Sequence, residues 1–220
     1  MIQENYLDKL KELCKCFQEQ NEKLNLSSFK DFDSTWPRNV LDSLLVEKYL
    51  QEGFEKLIDI GTGGGFPLLP LAVCHPDKQF FGVDSINKKL VAVESICEQM
   101  DIGNVEVLHA RAEQLAFDTD FRERFDVVIS RAFAKLPINL ELCVGFLKLG
   151  GIFVAMLGPS SKLEIEACQD LIGELGCEIE KFECDSTKYG ERCFLVLKKI
   201  KPLDSKYPRT PKKLKRIFKI

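Results

Sequence analysis

The chain has 220 residues, 45% of them hydrophobic and 30% charged, which suffices for one α/β domain with a small appendage and is too little for two full domains. No run of eighteen apolar residues occurs, and the start, Met1-Ile2-Gln3-Glu4-Asn5, is polar and acidic where a signal peptide is basic and then apolar, so a soluble, cytoplasmic protein without membrane contact is expected. The net charge of −3 hides an asymmetry: from Lys198 onward there are ten Lys or Arg residues and one acid, Asp204, so the basic end and the acidic body are expected to face different partners.

Residues 4–26 carry Leu7, Leu10, Leu13, Cys14 and Phe17 at helical spacing, the pattern of an amphipathic helix. A second helix is expected over 38–51, with Pro37 at its first turn and Val40, Leu41, Leu44, Leu45 and Tyr49 on one face. Trp36 reads as an anchor of this cap rather than a stacking platform. A short apolar strand, Lys56 to Ile60, then runs straight into Gly61-Thr62-Gly63-Gly64-Gly65. Backbone free of Cβ atoms can turn tightly there and touch a ligand before a helix begins between Phe66 and Cys74. The spacing is G-x-G-x-G, with Phe66 where a dinucleotide fingerprint has its third glycine, and no Gly-Lys-Ser/Thr follows, which argues against a nucleoside triphosphatase. A turn with no ligand is the alternative.

A second strand, Lys78 to Val83, ends at Asp84, where a carboxylate can accept both hydroxyls of a ribose. The competing role for Asp84 is helix capping, and Ser85 or Asn87 can also cap the helix that runs to about Gln99. Val105 to His109 leads into Ala112-Glu113, and Phe125 to Ile129 leads into Ser130-Arg131-Ala132-Phe133. A helix follows over 136–147, stopped by Gly150-Gly151, then a fifth strand, 152–157, and a helix over 162–175. Strands at 178–182 and 193–200 are joined by a polar loop around Lys188-Tyr189, too short for a crossover, so this pair must be antiparallel. The outcome is a seven-stranded, mostly parallel α/β sheet with one reversed strand, the class I (Rossmann-like) methyltransferase arrangement. Its ligands bind at the carboxyl ends of the strands.

The nine cysteines are scattered, none in C-x-x-C, so small buried hydrophobes are expected rather than a disulfide framework or a metal centre. His75 and His109 read as loop or strand-end residues. S-adenosylmethionine needs a turn for its methionine end (Gly61, Gly63 and Gly65, with Asp59 beside them), a carboxylate for its ribose (Asp84), and an acidic edge for its adenine (Ala112-Glu113). A nicotinamide cofactor would use the first two. The third feature, Phe66 and the lack of room for a substrate domain favour methyl transfer. After strand four there is no Asn/Asp-Pro-Pro-aromatic element for an exocyclic amine, and no Pro-Cys pair for attack on a pyrimidine. A ring nitrogen such as guanine N7 needs neither, because it attacks without losing a proton. Arg131 is then the candidate to orient the base or a phosphate, with a plain salt bridge as the alternative. The basic tail offers phosphate contacts, with Tyr207 and Phe218 available to stack on bases, or else it is a solvated end.

The runs LIDIGTGGGFPLLPLA, VDSINKK, ARAE and DVVISRAFA, with the ending K-x-x-P-x-x-x-K-Y-P-R, together resemble the glucose-inhibited division protein B family. These are bacterial enzymes (methyltransferase G) that methylate guanine N7 in 16S ribosomal RNA with adenosylmethionine. The resemblance implies cofactor contact from Gly61, Phe66, Asp84, Ser85, Ala112, Glu113 and Arg131. It also implies 16S RNA or the small ribosomal subunit as partner, with a monomer expected. The expected layout is a helical cap (1–52), a cofactor-binding domain (53–200) and a basic tail (201–220). Two departures stand out. Family members usually carry Arg-His-x-x-Asp-Ser-Leu where this chain has Arg38-Asn39-Val40-Leu41-Asp42-Ser43-Leu44, and Leu-Lys-Gly where it has Met156-Leu157-Gly158. They leave open a non-catalytic RNA-binding protein on the same fold, and an NAD(P)-dependent oxidoreductase is the third reading.

Overall fold

The computed structural model describes residues 4–187 and 190–218, so Lys188 and Tyr189 of the expected polar loop lie outside the described residues. Seven strands, β1 (Lys56–Ile60), β2 (Gln79–Asp84), β3 (Val105–His109), β4 (Phe125–Arg131), β5 (Leu147–Leu157), β6 (Cys177–Thr187) and β7 (Gly190–Lys199), form one sheet in the order 3-2-1-4-5-7-6. The pairs from β3 across to β5 are parallel, and β7 runs antiparallel to both β5 and β6. The strand order reverses beside β1, which puts a crevice at the carboxyl ends of β1 and β4.

Alternation along the central strands sends side chains to two separate cores. Leu57, Val127, Ile129, Ile152, Val154, Phe194 and Val196 face the N-terminal helix Glu4–Leu24, the helical run over 32–49 and the helix Leu68–Cys74. Ile58, Ile60, Val128, Phe153, Leu195 and Leu197 face the helix Leu136–Val144 and the chain around Leu203 and Tyr207. The same period places Arg131, two residues beyond Ile129, and Arg192, two before Phe194, on the N-terminal side of the sheet.

Several expected boundaries shift. The second helical run begins at Phe32, because Asp31 accepts from the Ser34 amide and supplies the cap. Pro37 therefore sits inside the run, in a π-helical turn, Trp36–Leu41, instead of at its start. Trp36 stacks on Phe32 at 5.7 Å as an anchor of this segment. Gly150-Gly151 does not end a helix: the helix stops at Val144, and both glycines lie inside β5, where its register against β4 shifts. The helix expected over 162–175 is broken at Cys168 into Ser161–Ala167 and Gln169–Glu174. The cysteine reading also needs correction, since Cys184 and Cys193 face each other on β6 and β7 and form a disulfide. Spacing along the chain cannot reveal that pairing, because strand register creates it. Among the described residues no helix is long and apolar enough to cross a membrane.

Candidate functional site

β1 delivers the glycine turn to the sheet edge, and β2 holds it there. The amides of Gly61 and Thr62 both donate to the Val83 carbonyl, at 2.8 and 3.0 Å. Gly61 (φ 79°) and Gly63 (φ 60°) take left-handed conformations that side chains disfavour, and a Cβ on Gly61 would lie 2.3 Å from the Phe133 ring. Asp84, at the tip of β2, accepts the Gly63 amide on Oδ2 (3.0 Å) and the Ile86 amide on Oδ1 (2.9 Å). Neither Ser85 nor Asn87 caps the following helix, Asn87–Gln99, which has no side-chain cap. Asp84 fixes the turn and the helix entrance together, and a carboxylate with four lone-pair sites keeps acceptor capacity after two such bonds.

A cavity of about 470 Å³ opens at these strand tips, lined by Gly61, Asp84, Ser85, Ala112, Glu113 and Phe133 among others. Five sequence-predicted residues thus meet in one place. Gly63 is tied to it through Asp84, whereas Gly65 packs toward Leu69 and Val93, and Phe66 is buried edge-on against Phe17 at 4.7 Å. Arg131 lines a second cavity, of about 540 Å³, with Phe29, Asn39, Leu41, Asp42 and Arg192. Ala132 lines both cavities. Its φ of 50° turns the chain so that Arg131 faces one cavity and Phe133 the other. Arg131 makes the salt bridge of the alternative reading, pairing with Asp42 at 3.1 Å, and it also lines this cavity. Motif reading names Phe133, Asn39 and Asp42 only as parts of longer runs, and it gives no signal for Arg192 as a site residue.

Asp59 is fully buried on β1, two residues before Gly61; the Thr62 hydroxyl and the Leu68 amide bear on its carboxyl, but neither makes a well-formed hydrogen bond with it. Burial pushes its pKa up to about 7, against the pull of the Thr62 hydroxyl and the Arg131 charge. Because the folded value exceeds the unfolded one, the stabilisation is full below 3.8 and is lost as pH rises through 7. Thermal stability should therefore fall between about pH 4 and 7, and Asp59→Asn should flatten that slope; equal slopes in melting curves would refute the assignment. A buried, unpartnered carboxyl behind a glycine turn fits an ammonium group.

The tail departs from expectation. Tyr207 is buried and its hydroxyl pairs with Glu174, so it does not stack on bases. Arg209 pairs with the buried Glu141, and Arg122 donates to the carbonyls of Leu203, Asp204 and Tyr207. Lys199 is buried against Glu123 at 2.7 Å. Lys199 and Arg209 are therefore spent internally. Lys212, Lys213 and Arg216 on the helix Pro211–Phe218 stay exposed, while the Phe218 side chain lies outside the described residues.

A family model described as rRNA small subunit methyltransferase G matches residues 6–192. The ribosomal RNA small subunit methyltransferase G of Acetivibrio thermocellus is 32% identical over 210 residues, covering 94% of this chain and 86% of that protein. Its counterpart in Geobacillus kaustophilus is 34% identical over 196 residues, covering 88% and 82%. Among solved structures, a 16S rRNA (adenine(1408)-N(1))-methyltransferase with cosubstrate SAM from Catenulisporales acidiphilia superposes with a TM-score of 0.56 at 18% identity, over 68% of this chain and 87% of that one. M. jannaschii TYW2 in complex with AdoMet gives a TM-score of 0.58 at 18% identity, over 74% and 76%. At these identities the structures speak for the fold alone.

Proposed function

Because the chain belongs to the rRNA small subunit methyltransferase G family, we propose that it transfers a methyl group from S-adenosylmethionine to N7 of a guanine in 16S ribosomal RNA, as a cytoplasmic monomer. The observation that carries this reading is the meeting of Gly61, Asp84, Ser85, Ala112 and Glu113 around one cavity that shares Ala132 with a second, arginine-lined one. Asp84 would accept the ribose hydroxyls, Glu113 would face the adenine, and Asp59 with the Gly61–Gly63 backbone would hold the methionine end. When bound, the cofactor would supply an electrophilic sulfonium methyl for the lone pair of the ring nitrogen, with its positive charge passed to the purine and a neutral thioether left behind. No proton leaves, so the chain needs no general base, and its task is alignment. Glycine φ values, the lone pairs left on Asp84 and the orphaned Asp59 carboxyl all suit such a cofactor.

The departure at position 39 is compatible with catalysis. Asn39 Oδ1 accepts from Arg131 Nη2 at 3.1 Å, a contact that an imidazole nitrogen can also make. We assign residues 1–52 to a cap over the acceptor side and the exposed charges of the tail to phosphate contact. Removing residues 206–220 would also remove Tyr207 and Arg209, so charge neutralisation is the cleaner test. Replacing Lys212, Lys213 and Arg216 with alanine should lower the slope of log affinity against log salt by about 2, at about 0.7 to 0.9 per lost phosphate contact. An unchanged slope would remove the tail from the RNA interface.

Incubation with 16S RNA or small subunits and methyl-labelled adenosylmethionine, followed by mass mapping of modified guanines, tests the whole reading. Label on a single guanine, at N7, is the expected result. Label on another base or position would overturn the assignment. A fluorescence response to NADH without protection by adenosylmethionine would favour the oxidoreductase.

A further inference from the structure

Resting on the reading of this chain as an RNA methyltransferase, we infer that the second cavity receives the acceptor guanine out of its stack, and that Asp42 is the positioning residue that sets the two arginines recognising it. The cavity, about 540 Å³, lies within the range of roughly 300–1,000 Å³ typical of small-molecule sites. Besides Ser27 and Phe29, three separate parts of the chain build it: the helical run over 32–49, the tip of β4 and the start of β7.

Asp42 joins these three parts. Its Oδ2 accepts from Arg131 Nη1 at 3.1 Å, its Oδ1 accepts from Arg192 Nε at 2.8 Å, and Arg192 Nη2 reaches Oδ2 at 3.1 Å. Arg131 is further held by the Arg38 carbonyl and by Asn39, both at 3.1 Å. The π-helical turn Trp36–Leu41 widens the backbone just before Asp42, so that Asn39 and Asp42 both reach Arg131. Among the described residues the Arg131 Nε and Arg192 Nη1 groups make no hydrogen bond.

Unspent donors on two immobilised guanidiniums suit the acceptor-bearing O6/N7 edge of guanine, whereas adenine presents an amino donor on that edge. With N7 kept free to attack, O6 is the atom the arginines bind. Asp42 has a second effect. It offsets part of the positive charge of Arg38, Arg131 and Arg192, so the cationic methylated purine is not repelled as it forms. The wall shared at Ala132 puts the base next to the cofactor cavity.

The test uses full-length protein, 16S RNA or small subunits, and tritiated adenosylmethionine. Asp42→Asn should leave cofactor affinity and RNA KM within about threefold while kcat falls about 100-fold, the cost of a misplaced reactant. Asp42→Glu should recover part of the loss. Leu41→Trp, which fills the cavity, should likewise lower kcat and spare cofactor binding. If Asp42→Asn fails to fold, Leu41→Trp decides alone. Retained kcat in a folded variant would overturn the proposal, as would a parallel fall in cofactor affinity. A wild-type protein that transfers no label to RNA would instead refute the underlying reading.

Discussion

Asp84→Ala should weaken adenosylmethionine binding by about 100-fold or more, because two hydrogen bonds to a charged acceptor, each worth roughly 1.5 kcal/mol or more, are lost together. The carboxylate also holds the Gly63 and Ile86 amides, so the turn would loosen along with loss of the proposed ribose contact. Asp84→Asn keeps one acceptor oxygen and should fall in between. Isothermal titration, with circular dichroism as a check on folding, distinguishes the outcomes. An alanine variant that binds within about threefold of wild type would place the ribose elsewhere, since the loss of even one such bond exceeds that.

The second large effect concerns stability. Arg209→Ala should destabilise the protein by about 3–5 kcal/mol, the usual penalty for leaving one member of a buried ion pair without the other. Glu141 has no solvent exposure, and it accepts both the Arg209 backbone amide, at 2.9 Å, and the guanidinium. A double replacement, Glu141→Leu with Arg209→Leu, should recover most of that loss, because well-packed apolar groups often equal a buried ion pair. Urea denaturation measures both variants. A single variant as stable as wild type would mean that the tail is not anchored through Glu141. The helix Leu136–Val144 carries Glu141 on one side, and its Ile138 and Leu142 line the cavity beside Asp84. Loosening the tail should therefore also disturb cofactor binding.

These two residues differ in how far the chain alone reveals them. Asp84 is legible because a glycine turn, an intervening helix and a strand-ending acid follow one another at short range, and that local pattern has few structural solutions. Arg209 belongs to a basic run that reads as solvated, and its buried partner lies 68 positions away. Tyr207 misleads for the same reason: an aromatic among lysines looks available for stacking until the strand and helix packing shows it buried against Glu174. The missed disulfide follows this pattern too, since Cys184 and Cys193 meet only through the register of β6 against β7.

By itself the sequence determined the strands, the glycine turn, the acids at the strand tips and hence the fold class, because apolar periodicity and glycine placement act over a few neighbouring residues. Tertiary structure alone decided that Arg131 and Arg192 meet on Asp42, 89 and 150 positions away along the chain. It also decided that the arginine-lined cavity lies on the N-terminal side of the sheet and that Lys199 and Arg209 are turned inward. The physical reason is that strand order and the alternation of faces fix which side chains meet across the sheet, and neither is written in the spacing of any one segment.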